Sequence, residues 1–596
     1  MTTATPALPT WDLSDLYAGV DDPRLDQDLA ALDGRAKAFE TRYKGTLAHE
    51  ALSAAQLKTA LDDYEALSRA LYKPAAYAQL LFSTNTKDPQ RGALLQRTQE
   101  AISRVSTHLV FFELELGKIP AGRYASVIDD EALCTYRHFL DKKRLEAQHH
   151  LSEAEEKILV ETANSRGPAF ARLSTEVNAR TRFVLTRDGE EQHLSQSEIL
   201  ALLYDPDRAV RRDAATAFTA GIKQNEHVVT FIYNTLIHEK DVLDRLRGYR
   251  APESARHLDN EISQAVVDTM VGVCVDNYPT VARYYELKRK LLGLDELLHY
   301  DRYAPLSSEQ SHVPFSEAKD VILEAYGNFS PRMAKMVEPF FERRWIDAAL
   351  SEGKSGGAYC AGVTPDLHPY VLMNYTHTPR DVMTLAHELG HGVHDVLASS
   401  NHLFDYHPVL PLAETASTFG EMLVFDHVLS RLDSRAEKLA LVCGKIEDTF
   451  ATVFRQVAMF RFERRAQQVR REKGEQPTES YNALWQTTQQ EMFADALTLG
   501  PEHASWWLYI PHVVQVPFYV YAYAFGELLV LALYAQYRQQ GEAFVERYFN
   551  LLAAGGSKSP QTLISEMGFD INDRAFWQSG CDLIAERVAT AEALAA

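Results

Sequence analysis

The residues with the clearest chemical potential are two histidines and a glutamate in one short segment. His387 and His391 are four positions apart, and Glu388 directly follows His387. On a helix this spacing places both imidazoles on one face, one turn apart, where they can share one tetrahedral metal ion. Glu388 is offset by about 100° and can act as a general base on a water molecule without binding the metal. The HExxH pattern therefore indicates a metallopeptidase centre; the alternative is a buried helix with hydrogen-bonded histidines.

The flanking residues predict that this segment is helical. Thr378 suits the N-cap, Pro379 suits the first helical position, and Asp381 lies three residues after Thr378. This spacing is that of a capping box. The predicted helix contains two glycines, Gly390 and Gly392. Glycine costs some helix stability, but it allows a substrate or a neighbouring backbone to come close.

A catalytic zinc ion needs a third protein ligand and one open position. The metzincin pattern would require glycine at position 394 and histidine at position 397, but the sequence has His394 and Leu397. The remaining choice is a glutamate on a following helix. Glu414 lies on the next apolar segment, which Pro411 can begin. We therefore predict that Glu414 completes the metal ligands.

Two further residues are predicted to support the metal site. Glu421 is two helical turns after Glu414 and on the same side of the helix, where it can orient a ligand imidazole. The alternative for Glu421 is a surface carboxylate. His394 lies seven residues after His387 and faces roughly the same side. We interpret His394 as a packing or supporting histidine, because a fourth protein ligand would close the site.

A second group of residues could stabilise the oxyanion that forms when a peptide bond is attacked. His512 lies in a loop bounded by prolines, and Pro517 is expected to begin a long helix. Tyr519 and Tyr523 are four positions apart and would share one helix face, whereas Tyr521 would point elsewhere. A tyrosine hydroxyl can donate to an oxyanion without carrying charge. The alternative is an aromatic stripe that packs in the core.

Four segments of the chain resemble the signature of oligoendopeptidase F, the bacterial branch of the thimet-oligopeptidase-like metallopeptidases. The resemblance is clear over about residues 200–580 and weaker in the N-terminal part. In chain order, the four segments are Gly357–Cys360, Asp381–His394, Leu412–Thr418 and Pro517–Tyr523.

The resemblance implies a mainly α fold, with an elongated two-lobed helical body around a deep substrate channel and a small β-sheet beside the zinc site. It also implies one Zn²⁺ per chain, a cytoplasmic location, and cleavage of internal bonds in short unstructured peptides. Position by position, it makes Glu388 the catalytic base and His512, with one or two tyrosines, the oxyanion donors. The zinc ligands that it implies are His387, His391 and Glu414.

One departure from the family concerns the oxyanion residues. Related mammalian-type enzymes carry a glycine-rich loop at the position of Val513–Val516. The altered spacing leaves open which of Tyr519, Tyr521 and Tyr523 donates, and helical facing favours Tyr519 and Tyr523.

The rest of the sequence predicts the elements that must position these residues. Most segments show apolar residues at spacings of three and four, which indicates helices. A hairpin is predicted over residues 183–194, with Asp188 and Gly189 at its turn. A loose boundary at this hairpin divides the chain into an N-terminal helical lobe, residues 1–190, and a catalytic region, residues 191–596.

Two short strands are predicted just before the HExxH segment, at Gly357–Val363 and Tyr370–Tyr375. An extended peptide could add to the edge of the first strand through main-chain hydrogen bonds at Gly357, Ala358 and Tyr359. Such pairing ignores side-chain identity and suits broad specificity. The alternative is an ordinary structural strand.

Composition argues against several other classes of protein. The net charge of −21 argues against nucleic acid as a main partner. The five cysteines are scattered and form no CxxC pair, which favours free thiols in a reducing compartment. The N-terminus lacks the basic and apolar regions of a signal peptide. The apolar stretch Phe518–Tyr537 is interpreted as a buried helix rather than a membrane span, because it contains Glu527 and lacks basic anchors on its N-terminal side.

Two rival functions stay open at this point. A zinc carboxypeptidase or dipeptidyl carboxypeptidase would need an arginine or lysine that captures the C-terminal carboxylate of the substrate, and the sequence does not place one. A catalytically silent peptide-binding protein would be expected to lack the glutamate of HExxH or a metal ligand, whereas this chain has all of them. The sequence does not indicate an oligomeric state.

Overall fold

The computed structural model describes residues 8–187, 189–306 and 312–596. Helices make up most of this described chain, and its strands form one two-stranded and one three-stranded sheet. The mainly α prediction is confirmed.

The α-helices follow one another along the chain with short connections. In order they are α1 (Pro23–Tyr43), α2 (Ala54–Thr84), α3 (Pro89–Gly117), α4 (Ala121–Val127), α5 (Arg137–Ala147), α6 (Glu153–Glu161), α7 (Gly167–Arg180), α8 (Gln196–Ala201), α9 (Arg208–Lys223), α10 (Glu226–Arg247), α11 (Ser254–Asp259), α12 (Gln264–Asp276), α13 (Tyr278–Leu291), α14 (Phe315–Phe329), α15 (Pro331–Glu342), α16 (Pro379–Ala398), α17 (Leu410–Ala413), α18 (Thr415–Arg431), α19 (Arg435–Thr452), α20 (Phe454–Lys473), α21 (Thr478–Phe493), α22 (His512–Gln515), α23 (Tyr521–Gln540), α24 (Glu542–Ala553), α25 (Pro560–Glu566) and α26 (Arg574–Ala595).

The predicted hairpin near residue 188 is confirmed. Strands β1 (Phe183–Arg187) and β2 (Glu190–Leu194) pair antiparallel. Gly189 of the turn has a φ of 82°, a left-handed conformation that glycine adopts without a steric penalty. Asp188, the other predicted turn residue, lies outside the described residues.

The chain folds into two units whose segments alternate along the sequence. Unit 1 comprises Met1–Lys157, Gln310–Ser430 and Tyr537–Gly568, and unit 2 comprises Ile158–Glu309, Arg431–Gln536 and Phe569–Ala596. Each unit is assembled from three separate segments, whereas the sequence suggested one boundary near residue 190. The division into an N-terminal lobe, residues 1–190, and a catalytic region, residues 191–596, stays a prediction.

The small sheet of unit 1 has the strand order β3-β5-β4. Strand β4 (Tyr359–Ala361) pairs antiparallel with β5 (Tyr370–Leu372), and β3 (Ile346–Asp347) pairs with β5 in parallel. The two strands predicted before the HExxH segment are therefore present but shorter. The third, β3, was not predicted, because two residues are too few to show an alternating pattern. Strand β4 lies at an edge of this sheet.

The apolar stretch after residue 518 forms a buried helix, as expected. Nearly every residue from Tyr521 to Tyr534 is buried. The prediction that this helix begins at Pro517 is wrong, since α23 begins at Tyr521 and Phe518 has a φ of 57°. Among the described helices, none is both long enough and apolar enough to cross a membrane.

Candidate metal centre

Helix α16 begins at Pro379 and carries the HExxH segment, as predicted. The Thr378 hydroxyl accepts a hydrogen bond from the Asp381 N–H (3.3 Å), and the Asp381 carboxylate accepts one from the Thr378 N–H (2.9 Å). This capping box satisfies main-chain N–H groups that would otherwise lack partners at the start of the helix. The start of the metal-site helix is thus fixed by local sequence.

Gly390 determines how closely α16 approaches the segment that carries Glu414. A Cβ atom at this position would lie 2.5 Å from both the Ala416 carbonyl oxygen and the Ser417 Cα. No side chain other than hydrogen fits there, so the two backbones can pack in direct contact. The expectation that a glycine here admits a neighbouring backbone is confirmed.

The three predicted metal ligands come together in unit 1. The same carboxylate oxygen of Glu414, Oε2, lies 3.2 Å from His387 Nε2 and 3.4 Å from His391 Nε2. Glu414 stands at the junction between the short helix α17 and helix α18. The sequence therefore located the glutamate correctly, although the helix that was expected to carry it is interrupted there.

These donor atoms fit a single metal ion. All three lie within 4.8 Å of one another, and ligands about 2.0–2.1 Å from one tetrahedral ion lie roughly 3.3 Å apart. The observed separations of 3.2 and 3.4 Å match this geometry. Two imidazole nitrogens and one carboxylate oxygen also form a donor set that occurs at catalytic metal centres.

The electrostatics of the site favour a cation. Burial lowers the pKa of His387, but hydrogen bonding to Glu414 and the charge of Glu421 outweigh burial and raise it to about 10. Burial acts to raise the pKa of Glu414, and the two imidazoles outweigh it and lower this pKa. The carboxylates thus create a negative potential at the nitrogens, which a metal ion would also experience.

Two residues of α18 contact the predicted metal ligands. Ser417 donates a hydrogen bond to Glu414 Oε2 at 2.7 Å. Glu421 Oε2 lies 3.6 Å from His387 Nδ1, the ring nitrogen that faces away from Glu414. The structure thus brings Glu421 to the predicted place. The contact of Ser417 was not predicted, although its position three residues after Glu414 is a spacing at which a hydroxyl can reach back.

Glu388 is 6% exposed and lies beside the edge strand β4. The nearby main-chain N–H of Cys360 acts to lower the pKa of this carboxyl group. Burial raises the pKa of Glu388, partly offset by the charges of the neighbouring imidazoles. A carboxylate with a raised pKa is a better proton acceptor. The Cys360 contact was not predicted, because no local pattern links residues 360 and 388.

His394 is buried and lies outside the set of mutually close donor atoms. Burial lowers its pKa to about 3, so the ring is neutral. It shares this part of α16 with Asp395, whose pKa burial raises to about 7. The structure therefore places His394 as the sequence suggested, near the ligands but apart from them.

The three candidate substrate-binding residues precede or begin β4. Gly357 is exposed and has a φ of 80°, and Ala358 is half-buried. The ring of Tyr359 packs against Trp11, with their centres 6.4 Å apart. What Tyr359 could offer a peptide is therefore its main chain rather than its side chain.

In unit 2, His512, Tyr519 and Tyr523 form a compact group. His512 Nε2 lies 3.3 Å from the Tyr523 hydroxyl, and the rings of Tyr519 and Tyr523 are 5.1 Å apart. All three side chains are partly exposed. Burial, followed by the charge of Arg455, lowers the pKa of His512. The neutral ring can donate or accept a hydrogen bond.

Tyr521 points into the core of unit 2, as predicted, but the prediction that Tyr519 and Tyr523 share a helix face is wrong, because Tyr519 precedes α23. Its hydroxyl accepts a hydrogen bond from Asn260 Nδ2 at 2.7 Å and lies 3.1 Å from His257 Nδ1. The side chain is fully buried. This hydroxyl is engaged inside the unit, which leaves Tyr519 and Tyr523 as the accessible tyrosines.

A family model described as Peptidase family M3 matches residues 201–583. The chain belongs to peptidase family M3. A second model, described as Oligopeptidase F, matches residues 115–183. The resemblance to oligoendopeptidase F is therefore confirmed, and this member of the family is a metallopeptidase.

Relatives match this family M3 chain over nearly its whole length. Oligopeptidase PepF of Bacillus subtilis is 27% identical, and the match covers 98% of this chain and 87% of the relative. Group B oligopeptidase PepB of Streptococcus agalactiae is also 27% identical, with 89% and 88% covered. Oligoendopeptidase F from the Lactococcus lactis plasmid is 26% identical, with 98% and 97% covered.

Solved structures show the same fold. Oligoendopeptidase-F from Enterococcus faecium superposes with a TM-score of 0.72 at 23% identity, covering 96% of this chain and 98% of that one. Pz peptidase A, solved with an inhibitor, superposes with a TM-score of 0.76 at 16% identity, covering 97% and 99%.

Proposed function

We propose that this family M3 member is a zinc-dependent endopeptidase that hydrolyses internal bonds of short unstructured oligopeptides. The observation that carries the proposal is the convergence of His387, His391 and Glu414 within 4.8 Å, with buried Glu388 next to them. The names of the relatives, oligopeptidase and oligoendopeptidase F, support the substrate class.

The proposed ion is one Zn²⁺ per chain, held by His387, His391 and Glu414. Two imidazoles and a carboxylate suit zinc, although the same donors also accept manganese or cobalt. When bound, such an ion supplies Lewis-acid chemistry, lowering the pKa of water and polarising a carbonyl group. Glu421 would hold the His387 ring in its binding orientation, and His394 would fill the space behind the ligands.

Glu388 is proposed as the general base. It takes one proton from the attacking water while the oxygen bonds to the scissile carbonyl carbon. As the carbon–nitrogen bond breaks, Glu388 delivers that proton to the leaving amine. Burial of the Glu388 side chain restricts the movement of its carboxylate, so little reorientation is needed between the two transfers.

The substrate is proposed to be held by groups that ignore its side chains. Main-chain atoms of Gly357, Ala358 and Tyr359 would pair with an extended peptide at the edge of the small sheet. His512, Tyr519 and Tyr523 would donate hydrogen bonds to the oxyanion, and their mutual proximity and partial exposure support this role. Five free cysteines support a reducing, cytoplasmic location.

The decisive experiment replaces Glu388 with glutamine. Glu388→Gln keeps the size of the side chain but removes the base, so the protein should retain its metal and lose nearly all turnover. Glu338→Gln provides a matched control, because Glu338 is an exposed residue of the neighbouring helix α15. Retained peptidase activity in Glu388→Gln would refute the proposal.

Peptide substrates distinguish the rival functions. An endopeptidase cuts a C-terminally amidated peptide at an internal bond, whereas a carboxypeptidase or dipeptidyl carboxypeptidase requires the free carboxylate. A catalytically silent binding protein would cut neither. A peptide length series with metal analysis of the same sample tests the restriction to short peptides and identifies the ion.

A further inference from the structure

Two arginines of unit 2 lack a carboxylate partner. Arg302 is 6% exposed, and its guanidinium donates to the hydroxyl of Tyr303. Arg455, at the start of α20, is partly exposed and donates to the hydroxyl of Tyr509 at 2.9 Å. Within the described chain, neither guanidinium forms an ion pair, and Arg302 Nε has no hydrogen-bond partner. Buried cations are normally paired, because removing a charge from water is costly.

Two neighbouring acidic residues already pair with other basic side chains. The Asp301 carboxylate binds Arg208 (2.8 Å) and Arg211 (3.0 Å). Glu447 binds Lys288 at 2.6 Å. Among the described residues, the positive charge of Arg302 and Arg455 is therefore uncompensated, in a protein whose net charge is −21.

Aromatic rings join the two arginines into one cluster. The guanidinium of Arg302 lies 4.5 Å from the centre of the Tyr303 ring. The Arg302 guanidinium also lies 5.8 Å from the centre of the Trp506 ring, and that ring is 6.3 Å from the ring of Tyr509, the partner of Arg455. Tyr204 packs on Tyr303 with ring centres 5.1 Å apart and is 59% exposed. Tyr303, Arg455 and Tyr509 are themselves partly exposed, so the arginine–tyrosine cluster, defined as these three residues and Arg302, is accessible from solvent.

The arginine–tyrosine cluster is next to the proposed oxyanion donors. Tyr509 precedes His512 by three residues, and Arg455, which binds Tyr509, is close enough to lower the pKa of His512. A ligand at the cluster would thus lie beside His512 within the same unit.

We propose that the arginine–tyrosine cluster binds a carboxylate of the peptide substrate, an inference that rests on the proposed peptidase function. The planar guanidinium of Arg455 can donate two parallel hydrogen bonds to a carboxylate. The hydroxyls of Tyr303 and Tyr509 already accept hydrogen bonds from the arginines, so each can donate its own hydrogen to the same anion. A terminal carboxylate and an acidic side chain share this chemistry.

Matched peptides test the site and identify the source of the carboxylate. One pair differs only at the C-terminus, as free acid or amide, and a second pair differs only by Asp or Asn at each position in turn. Charge-assisted hydrogen bonds contribute about 1.5–3 kcal/mol, which corresponds to a preference of roughly 10- to 100-fold in kcat/KM for the carboxylate peptide. The preference in the first pair assigns the terminal carboxylate, and in the second pair the side chain.

The variant Arg455→Gln should abolish that preference, so that the carboxylate peptide and its amide or Asn partner have the same kcat/KM in this variant. Arg455→Lys should restore part of the preference for the carboxylate peptide. Arg465→Gln is the control, because Arg465 lies on the same helix in a partly exposed pair with Glu491. An unfolding transition like that of the wild-type protein shows that Arg455→Gln is folded.

Equal loss on both members of a pair, or no wild-type preference in either pair, would overturn the carboxylate site. Failure of the proposed function is distinguishable, because the wild-type protein would then cut none of the peptides.

Discussion

Glu463 accepts a hydrogen bond from the main-chain N–H of Phe518 at 2.8 Å, and Phe518 has a φ of 57°. A bulky residue in this left-handed region is strained, and it persists only where its surroundings hold it. Arg256 also donates weakly to the carbonyl of Pro517, at 3.4 Å. This turn leads directly into Tyr519 and Tyr523, so Glu463 is a positioning residue for the proposed oxyanion group.

Replacing Glu463 with leucine should remove the acceptor and let the turn relax. We expect kcat to fall by roughly 10- to 100-fold, because small misplacements of catalytic groups have effects of this size, while KM and metal content change little. Glu463→Gln keeps an oxygen acceptor and should retain most of the turnover. The measurement is steady-state kinetics on one peptide, and a leucine variant with wild-type kcat would contradict the assignment.

The same glutamate should make stability depend on pH. Burial raises the pKa of Glu463 to about 8, against the opposing effects of the Phe518 N–H, Lys240 and Arg256, and Glu253 adds to the rise. In the unfolded chain the pKa is about 4.3. The folded state therefore binds the proton more tightly, and this contribution is complete below about pH 4.3 and is lost as the pH rises to about 8.

Glu463→Gln has no such titration. The free energy of unfolding of the wild-type protein, relative to this variant, should therefore decrease between pH 5 and 8, by at most about 1.4 kcal/mol per pH unit. Urea unfolding of both proteins at several pH values measures the difference. A difference that stays constant over this range would show that Glu463 is ionised throughout.

Local signals were sufficient to predict much of the metal centre. The capping box at Thr378, the spacing of His387 and His391, and the choice of Glu414 all depend on short stretches of sequence, and the structure brings the three donors together. Contacts between residues that are far apart in the chain could not be predicted in this way. Glu463 lies far from Phe518 in the chain, and its hydrogen bond to Phe518 holds a turn where Pro517 suggested the start of a helix. The helix begins at Tyr521 instead.

Gly390 should be essential for the approach of the two metal-binding segments. In Gly390→Ala the added methyl group would meet the Ala416 carbonyl and the Ser417 main chain. Backbone cannot move aside as a side chain can, so we expect a loss of about 1–3 kcal/mol in stability together with weaker metal binding. The measurements are chemical denaturation and metal content after dialysis.

Gly444→Ala is the matched control for this prediction. Gly444 is an exposed glycine inside α19, with no atom near the position of an added Cβ. Alanine should stabilise that helix by up to about 1 kcal/mol without affecting the metal. If Gly390→Ala and Gly444→Ala had the same stability and metal content, the close approach at Gly390 would not be required for metal binding.

The residues behind the ligands should control metal affinity more than folding. Ser417 donates to Glu414 Oε2, and Glu421 lies beside His387 Nδ1. Partners of this kind fix the orientation of a ligand, and their loss typically weakens metal binding by about 10- to 100-fold. Ser417→Ala and Glu421→Gln should each produce such a loss, measured by competition with a chelator of known affinity.

Ser430→Ala tests the alternative that any hydroxyl on α18 affects metal binding. The Ser430 hydroxyl also donates to the carbonyl three residues earlier, His427, at 2.7 Å, but it is exposed and not bonded to a ligand. If Ser430→Ala weakened metal binding as much as Ser417→Ala, the effect would come from the helix rather than from the orientation of Glu414.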